Sequence, residues 1–187
     1  MLSKLLVFSD FNYGCISQSI FEKIMKLCKK KSIKIVADSQ SSSQYGDISR
    51  FKKMDMITPT EREARVSLKN QEDGLVVLTD KLKTASKAKN VILKLGEEGV
   101  LIYTNNKSNK KITTDRIDAL NLSPKDVAGA GDSMLIISGM ALASKSNIWE
   151  AACLGSLASA IQVSRLGNIP VKKEEFELIL VEKYLPE

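Results

Sequence analysis

The sequence predicts an α/β fold, with a sheet that starts mostly parallel and takes an antiparallel hairpin late in the chain. Three observations carry this. Short apolar runs at Leu5–Phe8 and Ile33–Ala37 read as buried strands. Between them Ile20, Ile24, Leu27 and Cys28 keep the spacing of one helical face. Strand and helix patterns then alternate along the chain, an order that belongs to parallel sheets flanked by helices.

The elements follow in order. Ser17 opens the first helix, whose other face carries Glu22, Lys23, Lys26 and Lys30. The second strand ends at Asp38 and a polar loop, Ser39 to Gly46. Met54 to Ile57 is a weaker strand that stops at Thr58-Pro59. A short helix starts at Glu61, and a longer one covers Leu75 to Ala88. Val91–Leu95 and Val100–Tyr103 are strands around the turn Gly96-Glu97-Glu98-Gly99, and Asn105 to Lys110 is a hairpin tip or surface loop. Two long helices, Gly129 to Ser144 and Ile148 to Val163, close the core, and Glu174 to Tyr184 adds a terminal one. Met134 to Ala143 is apolar nearly all round, which predicts a buried helix. Ile148 to Val163 is rich in Ala, Gly and Ser, which suits either close helix packing, the commoner reason, or the approach of a flat ligand.

With 187 residues the chain fits one domain, 1–187, since domains usually run to about 100–200 residues. There is no histidine. That excludes a Ser-His-Asp triad, a Cys-His dyad, an imidazole zinc ligand and a histidine pH switch. Any chemistry must use carboxylates, lysine, hydroxyls, backbone amides or a bound metal. Cys15, Cys28 and Cys153 lie far apart without CxxC spacing, so reduced thiols are expected rather than a disulfide framework. The N-terminus reaches Asp10 too soon for a signal-peptide apolar region. Met134 to Ala143, the longest apolar stretch, is about half the ~20 residues of a membrane span. A cytoplasmic protein with no membrane crossing is the expectation. The net charge of +6 invites a nucleic-acid reading, but Lys29–Lys31 and Lys107–Lys111 lack aromatic interleaving and read as solvated faces.

The strongest chemical signal is Asp126-Val127-Ala128-Gly129-Ala130-Gly131-Asp132, running into an apolar helix. Small residues leave the amides of Gly129, Ala130 and Gly131 open at a helix N-terminus, where unpaired donors and the helix dipole favour an anion. Asp132 then stands beside that anion, placed to take the proton of an attacking hydroxyl. The plainer alternative is a tight turn with Asp132 serving the dipole alone. Neither a dinucleotide fingerprint nor a P-loop is present.

These seven residues match throughout the Asp-Thr/Val-x-Gly-Ala-Gly-Asp signature of the PfkB-type, or ribokinase-like, carbohydrate kinases, which the sequence resembles. Other segments fall in family order. Lys94 to Val100 looks like the strand and turn that contact ATP, and Thr58 to Glu63 is similar to the segment holding the family's Asn-x-x-Glu motif. Ala151 to Gly167 looks like the helix lining the adenine pocket. Ser9-Asp10-Phe11-Asn12-Tyr13-Gly14 resembles the Ser-Asp-Tyr-x-Lys-Gly stretch of the branch that phosphorylates heptose phosphate.

The resemblance implies a three-layer sandwich and ATP-dependent phosphorylation of a sugar or sugar-phosphate hydroxyl. It makes Asp132 the catalytic base and the Gly129, Ala130 and Gly131 amides the anion hole. Lys94, Gly96, Gly99 and Ser156 would contact the nucleotide. Glu63 would order Mg2+, and Asp126 a monovalent cation such as K+ with carbonyls near Val163 to Gly167. Thr60 stands in place of the motif's asparagine, and with Glu63 it also forms a capping-box pattern. Tyr13 stands where the heptose branch has lysine. The resemblance covers the C-terminal part of a family kinase, without the N-terminal sugar-holding portion and β lid. The remainder is expected from a longer chain or from a partner such as a second copy. A non-catalytic nucleotide-binding or interaction module of the same fold is the alternative.

Overall fold

The computed structural model describes residues 4–40, 46–105 and 112–184. Six strands form one sheet in sequence order: β1 (Leu5–Asp10), β2 (Lys34–Ser39), β3 (Met56–Ile57), β4 (Asn90–Lys94), β5 (Val100–Asn105) and β6 (Ile112–Ile117). β1 to β4 run parallel to one another, whereas β5 and β6 are antiparallel additions at the far edge. Strand β6 is absent from the sequence-based expectation. Its sequence, Ile-Thr-Thr-Asp-Arg-Ile, has exposed polar residues at its centre, and only pairing with β5 makes it a strand. Residues 41–45 and 106–111, with the basic run at Lys107–Lys111, lie outside the described residues.

Helices α1 (Gln18–Lys30), α2 (Glu61–Leu68) and α3 (Leu75–Ser86) cover one face, and α4 (Ala130–Ala143) and α5 (Ile148–Val163) the other; α6 (Lys173–Tyr184) follows α5. The strands serve both layers by simple alternation. Ile35, Ala37, Val91, Leu93, Leu101 and Tyr103 join the α1–α3 core, while Val36, Ile92, Val100 and Ile102 join the α4–α5 core. This is the expected three-layer sandwich.

The caps are local and legible. Ser17 Oγ accepts from Ile20 N at 3.3 Å, and Thr60 with Glu63 and Asn147 with Glu150 make complete capping boxes. Two-residue β3 is held from the side: Asp55 Oδ2 accepts from Ile35 N at 2.9 Å and Oδ1 from Lys89 Nζ at 2.6 Å. Phe8, Phe21 and Phe51 stack with ring centroids 5.3–5.6 Å apart beneath α1.

Helices α4 and α5 pack so closely that a Cβ on Gly155 would lie 2.0 Å from Ser138 Oγ. Gly155 in the small-residue pattern of α5 therefore serves packing, whereas Ser156, Ser159 and Ala160 face the cavity described below. α4 is not buried all round, however: Ile136 and Met140 are 41% and 53% exposed. A helix in an outer layer is covered by the sheet and by its neighbour, and its third side stays open. All three cysteines are free thiols. Among the described residues no helix is long and apolar enough to cross a membrane.

Candidate active site

In open α/β sheets, ligands bind beyond the carboxyl ends of the parallel strands. Here β2 ends in Asp38-Ser39 and β4 ends in Lys94. A cavity of about 1010 Å³ opens at that edge, bounded by Glu63, Lys94, the Gly129–Gly131 turn, Asp132 and Ser156. Those residues come from β4, α2, α4 and α5 and are up to 93 positions apart in sequence (63 to 156). On the other side the cavity is walled by Leu120, Leu122, Val127, Ala160 and Val163, an apolar slot of the kind that receives a flat ring.

The start of α4 is set by Gly129, the N-cap, whose φ of +77° is left-handed. A Cβ there would sit 2.1 Å from Asn168 Oδ1, so both conformation and space demand glycine. The first α-helical bond of α4 runs from Ser133 N to Gly129 O at 2.9 Å. Of the three amides expected to be open, that of Ala130 donates to Val127 O at 3.3 Å, because the left-handed Gly129 closes a turn on it. Asp132 stands in the first helical turn and lines the cavity, next to the positive end of the dipole.

Lys94 is the cation facing this turn. Its backbone N bonds Pro59 O at 2.8 Å, tying β4 to the segment that carries Thr60 and Glu63. Its Nζ lies 3.1 Å from where a Cβ on Gly131 would be, so glycine at 131 leaves room for the ammonium group. That group is held by Asp38, 2.6 Å away, with side-chain exposures of 14% and 5%. Burial pushes Asp38 above the ordinary carboxylate range, although Lys94 pulls the other way. Sequence reasoning missed Asp38. Its signal was an acid at the carboxyl end of a buried parallel strand.

Glu63 reaches the cavity while its Oε2 accepts from Thr60 N at 2.7 Å. The capping role and exposure to the site therefore coexist. Among the described residues no group of three or more acidic or thiol side chains is arranged for a metal.

Ser156 is 7% exposed, and its Oγ has no hydrogen-bond partner among the described residues, although it lines the cavity. Gly96, at φ +64°, has open space where a Cβ would go. Gly99 is glycine for another reason: a Cβ there would lie 2.0 Å from Ile117 O, where the chain leaves β6.

Two predicted positions lie off the cavity. Asp126 turns its carboxylate to the backbone, with Oδ1 accepting from Ala128 N at 3.0 Å and Oδ2 from Gly167 N at 2.9 Å. These amides lower it from the ordinary carboxylate value. Asp10 is buried against the guanidinium of Arg50, which stacks on Phe51 at 4.5 Å, and Tyr13 is 79% exposed. The segment that suggested a heptose acceptor thus closes the end of β1 by its own contacts.

A sequence model of the pfkB family of carbohydrate kinases matches residues 3–174. The bifunctional protein HldE of Campylobacter curvus is 29% identical over 179 residues, covering 94% of this chain and 36% of that protein. HldE of Desulfatibacillum aliphaticivorans is 27% identical over 177 residues, 92% of this chain and 34% of that one. Phosphofructokinase-2 from Escherichia coli, solved in complex with potassium, superposes with a TM-score of 0.76 at 18% identity, over 96% of this chain and 57% of its own. Ribokinase from Thermotoga maritima gives 0.70 at 27% identity, over 95% and 57%. The chain spans about a third of the length of the curated relatives and a little over half of the solved ones.

Proposed function

The chain belongs to the pfkB family of carbohydrate kinases, and from that premise we propose that residues 1–187 form one unit that binds ATP and transfers its γ-phosphoryl group to a sugar or sugar-phosphate hydroxyl. The observation that carries this is the single cavity that brings Asp132, the Gly129–Gly131 turn, Lys94 and Glu63 together. The adenine ring fits the slot between Leu120, Val127 and Ala160, with Ser156 in the α5 wall of the same cavity. The phosphates run towards the start of α4.

Each residue then has a task. Asp132 accepts the proton of the attacking hydroxyl, and the helix N-terminus at Gly129–Gly131 favours the charge that develops on the phosphoryl oxygens. Lys94 adds a fixed positive charge beside the same turn. Glu63 would hold magnesium, which supplies charge neutralisation for the phosphates when bound. A heptose phosphate is the proposed acceptor: the Ser9–Gly14 sequence resembles the heptose branch, although the segment stands off the cavity, and the similarity to the HldE proteins supports the same choice.

Asp132→Asn tests the reading. With ADP release measured against a panel of sugars and sugar phosphates, turnover should fall by about 10²–10⁴, the usual contribution of a general base, while ATP affinity is kept. Unchanged turnover would remove Asp132 from the chemistry. The second reading, a module that binds nucleotide without transferring phosphate, is favoured by the Glu63 carboxylate being shared with the Thr60 amide. It predicts ATP binding with no transfer to any acceptor.

A further inference from the structure

The resemblance places a monovalent cation between Asp126 and the carbonyls around Val163 to Gly167, and the residues present do not fit one. Each oxygen of Asp126 already accepts from a backbone N–H group, those of Ala128 and Gly167. The carbonyls of the same two residues are taken as well, by one side chain. Gln162 Nε2 donates to Ala128 O at 3.1 Å and to Gly167 O at 3.3 Å. A cation bridging those carbonyls would need the place that this nitrogen fills.

We propose that the Gln162 amide does the work expected of the cation, tying the loop before α4 to the turn after α5. Gln162 is 1% exposed and sits near the end of α5, so its orientation is fixed by packing. The assignment of nitrogen and oxygen follows from the partners, since two carbonyls can be met only by a donor. Its Nε2 also lies 3.3 Å from where a Cβ on Gly129 would be, directly behind the N-cap of the anion-binding turn. The clamp is therefore reciprocal. Asp126 holds the two amides, Gln162 holds the two carbonyls, and Gly129 is set between them. Gln162 is a positioning residue for the Gly129–Gly131 turn, and the protein needs no monovalent cation to order it.

For its catalytic consequence this inference rests on the kinase reading, but its geometry does not. The test compares melting temperature and ATP affinity in potassium chloride and in tetramethylammonium chloride at equal ionic strength. The wild-type protein should melt at the same temperature in both, within about 1 °C, and bind ATP equally. Gln162→Ala, which removes the donor and empties the place its nitrogen fills, should melt lower and bind ATP about tenfold more weakly in tetramethylammonium, with potassium restoring both. Gln162→Glu, which replaces the donor by a negative ligand, should show the same potassium response if the alanine variant does not fold.

A merely structural loss would not be reversed by one cation and not the other, so variants that potassium fails to rescue would refute the proposal. Gln162 Oε1 accepts no hydrogen bond among the described residues, and in the opposite reading it would be a cation ligand. That reading predicts a wild-type protein that is stabilised or binds ATP more tightly in potassium, and either result overturns the inference. If the wild-type protein binds no ATP in any salt, the kinase reading fails, and the melting comparison still decides the role of Gln162.

Discussion

Asp38 and Lys94 show how the site is built at the scale of single residues. Bringing a carboxylate and an ammonium group out of water costs more than their attraction returns unless further partners help. Asp38 also accepts from Ser39 N at 3.0 Å, yet burial still dominates, and Glu63 nearby adds repulsion. The pair is thus not explained by stability, and its value lies in aiming Lys94 at Gly131. The two partners are not equivalent. Lys94→Met leaves a carboxylate buried without its cation and should cost about 3–5 kcal/mol in urea unfolding. Asp38→Asn should cost less, because Lys94 can extend its stem into the open cavity. The double variant should recover part of the Lys94→Met loss, and strict additivity would mean that the two groups do not interact.

Between elements, the decisive contact is α4 against α5. The start of α4 carries the glycine turn, and α5 supplies the floor on which it rests: Ser159 Oγ donates to Ala130 O at 2.7 Å. Gly155 permits that closeness. Gly155→Ala would drive a Cβ into Ser138 Oγ, and also to 3.1 Å from Met134 O. Overpacking of this kind costs about 1–3 kcal/mol. Ser138 Oγ is buried without a hydrogen-bond partner among the described residues, so Ser138→Ala in the same chain should return much of the loss. A Gly155→Ala variant as stable as wild type would show that the helices can separate freely. Moving α5 also moves Gln162 and Ser156, so loss of stability and loss of nucleotide affinity should appear together.

Across the whole molecule, the cavity draws on both helical layers and on the carboxyl ends of the strands. A ligand bound there contacts parts that unfold together, so it should stabilise the entire unit. At a concentration 100 times its Kd, ATP with magnesium should add about 2.7 kcal/mol. For a chain of this size that raises Tm by about 5–11 °C. No shift at saturating ATP would count against a nucleotide site in this cavity.

Local chemistry was legible without any structure. The helix start at Ser17, the capping box of Thr60 and Glu63, the apolar runs of the inner strands and the seven-residue turn before α4 depend on neighbours in sequence, and the chain states them directly. So does the absence of histidine, which leaves any proton transfer to groups other than imidazole. The rest depended on residues far apart being brought together. β6 is a strand because β5 lies beside it, Asp38 matters because Lys94 ends two strands away, and Gly99 is glycine because the chain returns past it at Ile117. Asp126 and Gln162 are the clearest case. The family resemblance made Asp126 a cation ligand, whereas it is the fold that sets an amide side chain from the end of α5 against two carbonyls beside it, the contact on which the proposed hydrogen-bond clamp rests.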